Sequence, residues 1–323
     1  LTVVAGLHDL GKMSPEWAKD SGLNLDGVEW IAHDFDTETL LHNNSQLLEP
    51  YNLDADEQAK VKILCRLHSL PGQYFFGEGN PSAYAPLFEI ANQEGRESVL
   101  NLARIHGALD VMSALNHKFV KPILDSHVKL KGFISEAYAE KTPLGERFRE
   151  VASHELQQDS KFANLAENHD LGPVAMLRLR RLVGAGLPPE PFETALASLD
   201  RSFVQEFQRA TDVESTWFGT YVANAFGSGM VKALKEKVPP SEAIAATVKM
   251  VACAAHFHGQ QGGRSQWALG ALDPSLQVAA GPEQAQAVLS ETQQLTGLSQ
   301  AVERLSSGRY PLTMRAGESG GKG

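Results

Sequence analysis

The sequence predicts an all-α protein, a helical bundle at its N-terminal end followed by a helical extension. Three observations predict it. Apolar residues recur at helical spacing over most of the chain. Strand-like alternation is almost absent. The breaks fall at turn sequences: "LPGQYFFGEGNPSAYAP" at 70–86, "EKTPLGE" at 140–146, "GAGLPPEP" at 184–191, "KVPPSE" at 237–242 and "GQQGGRSQ" at 259–266. With 323 residues, 42% hydrophobic and 21% charged, the chain can bury one large core or two modest ones. The expected division is 1–125 for the bundle and 126–323 for the accessory region.

Residues 1–13 read as a first helix. Residues 57–69, "EQAKVKILCRLHS", place Val61, Leu64 and His68 on one side, with Ile63 and Leu67 beside it. Residues 97–118, "ESVLNLARIHGALDVMSALNHK", give an apolar stripe at Leu102, Ile105, Leu109 and Met112. Segments 192–210, 213–237 and 241–257 also have helical spacing. In "NHDLGPV" at 168–174, Pro173 suggests a helix start with Asp170 near the cap.

A formal net charge of −10 disfavours long nucleic acid as a partner, because that binding needs many phosphate-neutralising Lys and Arg. It leaves room for a nucleotide or a local basic groove. The two cysteines, Cys65 and Cys253, lie in apolar helical patterns, which argues against a disulfide framework and for a reducing cytoplasm. No apolar run is long enough for a membrane span, and no signal peptide is visible. The opening "LTVVAGLHD" starts inside a helical pattern without Met, so further residues are expected upstream.

The stretch "GLHDLGKMSPEW" at 6–17 concentrates chemistry. On a helix over 1–13, Lys12 shares a face with His8 and Asp9. A metal held by His8 and Asp9 would have a cation one turn away, an arrangement suited to an anionic group such as a phosphoryl oxygen. Gly11 allows a substrate or a second helix to approach closely. The alternative is an ordinary helix end, with Lys12 complementing the dipole. Further along, His33 ("EWIAHDFD"), His68 ("CRLHS") and Asp110 ("GALDVM") each lie in or at the end of a helix. Histidine with carboxylate is the ligand set of iron, manganese, cobalt or zinc. Singly, each of these also reads as scaffold or as a solvated flank. His106, four residues before Asp110, is a candidate partner to it, and His42 is a weaker ligand candidate. His256 and His258 point apart on a helix and would chelate only in an extended segment. Trp217, Phe218 and Tyr221 fit a core better than a pocket, and Gly227 and Gly229 would permit close helix packing.

The order His-Asp, His, His, Asp resembles the HD superfamily of helical metallohydrolases, over roughly residues 1–115. "HDLGKMSPEW" is similar to the nuclease branch found with CRISPR-associated helicases. "EWIAHD" with "CRLHS" is similar to the di-iron oxygenase branch that contains inositol oxygenase. The GYP-signature phosphodiesterases share "HDLGK", but no "GYP" occurs here. The resemblance implies two divalent metals. His8, Asp9 and Asp110 would hold one, His33 and His68 with a bridging Asp9 the other, and Lys12 would contact substrate. The family also places a histidine upstream of the His-Asp pair, and none precedes His8 here. The expected function is hydrolysis of a phosphoester in a nucleotide or small phosphorylated compound. The alternatives are a di-iron oxygenase acting on a small polar substrate and a non-catalytic binding module. Tyr74, Phe75 and Phe76 would cover the site, and residues 126–323 would pack on the bundle or form a homodimer.

Overall fold

The fold comes from a computed structural model that describes residues 1–28, 33–68, 81–90, 93–113, 120–183, 186–213, 238–260, 294–298 and 300. Among these, 79% are helical and none lies in a strand, so the fold is all-α. No helix among them is long and apolar enough to cross a membrane. The chain forms two compact units that divide between Arg147 and Phe148. The expected boundary at 125 falls inside a helix, Val120–Glu140.

In the first unit the helices are α1 (Thr2–Leu7), α2 (Pro15–Asp20), α3 (His33–Asn43), α4 (Ala55–Leu67), α5 (Gln93–Ser113) and α6 (Val120–Glu140). α7 (Leu144–Gln157) carries the division between the units. α4 is central, packing against α1, α3 and α5, and α5 packs in turn on α6. Leu40, Leu41, Leu64, Cys65, Leu67, Val99, Leu100, Ala103, Leu130 and Ile134 form the buried apolar interior. Each large aliphatic buried there contributes roughly 1.5–3 kcal/mol.

α4 starts with a reciprocal cap. The Asp54 carboxylate accepts from the Glu57 amide at 2.9 Å, and the Glu57 carboxylate accepts from the Asp54 amide at 3.0 Å. Its other end delivers His68. Near that end Arg66 donates to Glu38 of α3 at 2.6 Å and lies 4.5 Å over the Phe35 ring. This pair fixes α3 against α4 close to the two histidines that those helices supply.

Two sequence expectations about helices change. The helix over 1–13 stops at Leu7, and Leu10–Lys12 form a separate 3-10 turn. The helix over 192–210 breaks at Leu199–Asp200, where the Asp200 carboxylate caps the following helix through the Ser202 amide. The apolar stripe of 97–118 also lies differently. Ile105, Leu109 and Met112 are exposed, and α5 buries Val99, Leu100, Ala103 and His106 instead. Turning His106 inward, with Asp110 at the rim of the site, rotates that apolar stripe away from the core.

α5 and α6 enclose His127, which is 2% exposed. Burial, reinforced by the Arg104 charge, pushes its pKa down from 6.5 to about 4. The folded chain therefore resists a proton that the unfolded chain accepts below about pH 6.5. Stability is full above that pH and is lost as pH falls through 4. Between pH 7 and pH 5 this residue should cost about 1–2 kcal/mol. Urea titrations at the two pH values should show a correspondingly smaller loss in His127→Gln than in the parent.

The second unit contains α8 (Ser160–Asn168), α9 (Pro173–Val183), α10 (Pro189–Ser198), α11 (Arg201–Thr211) and α12 (Pro240–Gln260). Phe162, Met176, Leu179, Phe192, Phe203, Phe207, Ile244, Val248 and Val251 fill its core. The second "HDLG" precedes α9, which begins at Pro173 as expected; Asp170 there pairs with Arg201 at 2.6 Å. Segment 213–237, with Trp217, Phe218, Tyr221, Gly227 and Gly229, lies outside the described residues except for Val213, as do Tyr74, Phe75 and Phe76.

Candidate metal centre

The His8–Asp9 pair reaches its position because the chain leaves helical geometry. His8 is the C-cap of α1, and Asp9 follows with φ −104° and ψ 14°. On an uninterrupted helix successive side chains splay by roughly 100°. Here the two side chains meet, with His8 Nε2 3.6 Å from Asp9 Oδ2.

A hydrogen-bond clamp on α3 holds the turn. The Gly11 amide donates to Thr37 Oγ1 at 2.8 Å, and that hydroxyl donates to the His8 carbonyl at 3.0 Å. Thr37 is fully buried. Gly11 presses so closely on His33 that a Cβ there would lie 2.3 Å from the His33 carbonyl oxygen and 2.8 Å from its Cα. Of the two close approaches that the sequence allowed for Gly11, the structure shows the second helix.

Around this turn five expected side chains come together. His8 Nε2 lies 3.6 Å from Asp110 Oδ1, so α5 closes on the end of α1. His33 and His68 bring their Nε2 atoms to 3.0 Å of each other. Asp9 faces both groups: its Oδ1 is 3.5 Å from His33 Nε2 and 3.8 Å from His68 Nε2, while its Oδ2 is the atom near His8. Lys12 Nζ lies 2.8 Å from Asp9 Oδ1 and is half exposed.

Local backbone groups orient two of the imidazoles. His68 Nδ1 hydrogen-bonds the Cys65 carbonyl at 2.5 Å, and His8 Nδ1 the Ala5 carbonyl at 3.1 Å. With its Nδ1 donating to a carbonyl, His68 presents its Nε2 lone pair to the cluster, while His8 Nε2 is turned toward Asp110. The protonation balance is uneven. The Asp110 carboxylate raises the His8 pKa, and the reciprocal bond from His8 lowers that of Asp110. Burial lowers the His68 pKa and, with the neighbouring His8 and His68, takes His106 to about 4. Cation uptake would displace the His8 proton.

Of the other candidates, one borders the cluster and the rest lie away from it. His106 stands edge-on to His8 at 4.7 Å between ring centroids and to His68 at 5.9 Å. The spacing made it a candidate partner to Asp110, whose charge acts on it in the fold. His42 is exposed in the last turn of α3, away from the cluster. His256 lies 3.9 Å from Glu206 in the second unit, and the His258 side chain lies outside the described residues.

Asp34 and Thr37 are site residues that sequence reasoning missed. Asp34 Oδ1 is 2.7 Å from His33 Nε2 and 3.7 Å from His68 Nε2. The available signal was a second His-Asp dipeptide at 33–34.

Compared with family models, curated proteins and solved structures, the chain matches none.

The functional reading therefore rests on the side chains. Two triads have the donor spacing of a cation site: His8, Asp9 and His68, and His33, Asp34 and His68, the donor atoms of each lying within 4.8 Å of one another. This buried His/Asp cluster could hold a metal ion. Mixed imidazole and carboxylate donors suit borderline divalent ions.

Proposed function

We propose that this chain is a metal-dependent phosphohydrolase of the HD superfamily, acting on a nucleotide or another small phosphorylated compound in the cytoplasm. The observation that carries this reading is the split reach of Asp9. One carboxylate oxygen faces His33 and His68, and the other faces His8, which is also paired with Asp110. A carboxylate so placed supports two divalent cations side by side, held by His8, Asp9, Asp110, His33 and His68. Such a pair would supply positive charge against a phosphoryl oxygen and would lower the pKa of a bound water toward neutral.

The chain's own residues set the geometry around that chemistry. His8 and His68 are held by carbonyls, so their rings are oriented before any ligand arrives. Asp9 and Asp110 have side chains 41% and 45% exposed and mark the open side, where a substrate can enter. Lys12, 55% exposed on that side, can swing from Asp9 to an anionic substrate oxygen. Buried and unpaired, Cys65 and Cys253 fit a reducing compartment.

The test is turnover of a generic aryl phosphodiester by the manganese- or cobalt-loaded chain, with phosphate monoesters and nucleotides as further substrates. Metal-dependent cleavage supports the reading. A metal-loaded chain inert toward every phosphoester would overturn it. Lys12→Ala should leave the metal content unchanged. Its kcat/KM should fall on the order of 10–100-fold, measured by steady-state kinetics beside elemental analysis.

A further inference from the structure

We infer that Asp34 makes the inner cation site a closed one, with His33, His68 and Asp9 Oδ1 as its other donors, and that the inner ion is retained while the outer ion exchanges. The inference rests on the two-cation reading above and goes beyond it by adding a ligand and giving the two ions different roles.

The argument begins with distances. In a tetrahedral site with donors at about 2.0–2.2 Å from the ion, neighbouring donors lie roughly 3.3–3.6 Å apart. His33 Nε2 and His68 Nε2 are 3.0 Å apart. Asp34 Oδ1 lies 2.7 Å from the first and 3.7 Å from the second. Asp9 Oδ1 lies 3.5 Å and 3.8 Å from the same two nitrogens. These five of the six donor–donor edges are within about 0.6 Å of the ideal, so small side-chain adjustments suffice for them. Two neutral imidazoles and two carboxylates also balance the charge of a divalent ion.

Burial separates the two sites. The side chains of His33, Asp34 and His68 are 7%, 2% and 2% exposed, and the Oδ1 atoms of Asp9 and Asp34 are both buried. Four protein donors in such a place leave no open position, the pattern of a structural site. The outer group of His8, Asp9 Oδ2 and Asp110 has three donors, two on half-exposed carboxylates, and keeps positions open. A three-donor open site is the pattern of a working metal. The outer ion is thus the one that meets substrate, and the inner ion fixes Asp9 and α3 behind it. The inner donors suit zinc, cobalt, manganese or iron over magnesium, which prefers oxygen ligands and keeps its waters.

The test uses the full chain loaded with cobalt(II), briefly exposed to a chelator, with cobalt counted per chain by elemental analysis before and after. The parent should carry two ions and keep one. Asp110→Asn should carry and keep the retained ion alone. Asp34→Asn should lose the retained ion, with release faster on the order of a hundredfold. It should also lose the intense visible absorption of four-coordinate cobalt. His33→Gln should behave as Asp34→Asn does, and the metal-free melting temperature of each variant checks that it folds. If Asp34→Asn keeps its ion as the parent does, or the parent releases both ions in one phase, the inference is overturned. The two readings fail separately. Cobalt that behaves as described in a chain that cleaves no phosphoester would defeat the hydrolase reading alone. Normal cleavage with unchanged retention in Asp34→Asn would defeat this inference alone.

Discussion

Asp9→Ala should abolish tight metal binding and lower phosphoester cleavage on the order of a thousandfold or more, with the helical fold intact. The size of the effect follows from the double role of one side chain. His33 and His68 have Asp9 Oδ1 within 3.8 Å, and His8 has Asp9 Oδ2 at 3.6 Å. Removing His8, His33 or Asp110 depletes one group; removing Asp9, whose two oxygens face both, depletes both. The fold should survive because the Asp9 side chain is 41% exposed and belongs to no apolar core. Circular dichroism should give parent-like helicity and elemental analysis fewer than one tightly held ion. A variant with parent-level turnover would remove Asp9 from the chemistry.

Gly11→Ala should be the most damaging change that touches no donor. Its new methyl group would lie 2.3 Å from the His33 carbonyl oxygen, 2.8 Å from the His33 Cα and 2.9 Å from its carbonyl carbon. These are backbone atoms of α3, so no side-chain rotation relieves the overlap. The turn must move away from α3, which breaks the Gly11–Thr37–His8 hydrogen bonds and separates Asp9 from His33. We expect about 3 kcal/mol of destabilisation, a fall of roughly 6–12 °C in Tm, and weaker metal binding. Gly6→Ala is the control. It lies in α1 with nothing nearer than the Tyr51 hydroxyl at 3.9 Å, so Ala should be neutral or slightly stabilising there. Thermal melts of the two variants beside the parent measure the contrast. Equal effects would mean that the close approach to His33 does not hold the site together.

The residue types of the site were legible before the structure, and their exact surroundings were not. Periodicity over 57–69 gave most of α4 and placed His68 at its end, because a regular apolar stripe leaves little choice. It gave α5 as well, but the wrong buried face, since the pattern of apolar residues cannot show that a polar group, His106, is the one turned inward. The turn at His8–Lys12 escaped because nothing local forbids helix there; the stop depends on Thr37, far along the chain, competing for the His8 carbonyl. Asp34 stands in a second His-Asp dipeptide whose surroundings only the fold reveals. Neighbours on a helix diverge, yet its carboxylate reaches the His33 imidazole within the same cluster. The close fit of Gly11 to His33 was readable only as permission for something to approach, since sequence names the glycine and not its neighbour.

The central claim is that one carboxylate stands between two cations held by helices from across the first unit. Anomalous diffraction from crystals of the full chain grown with manganese tests it most directly. The account predicts two peaks about 3.5–4 Å apart, one on each side of the Asp9 carboxylate, the inner against His33 and His68 and the outer against His8 and Asp110. No peak at Asp9, or a lone peak that leaves His33 and His68 unligated, would contradict it.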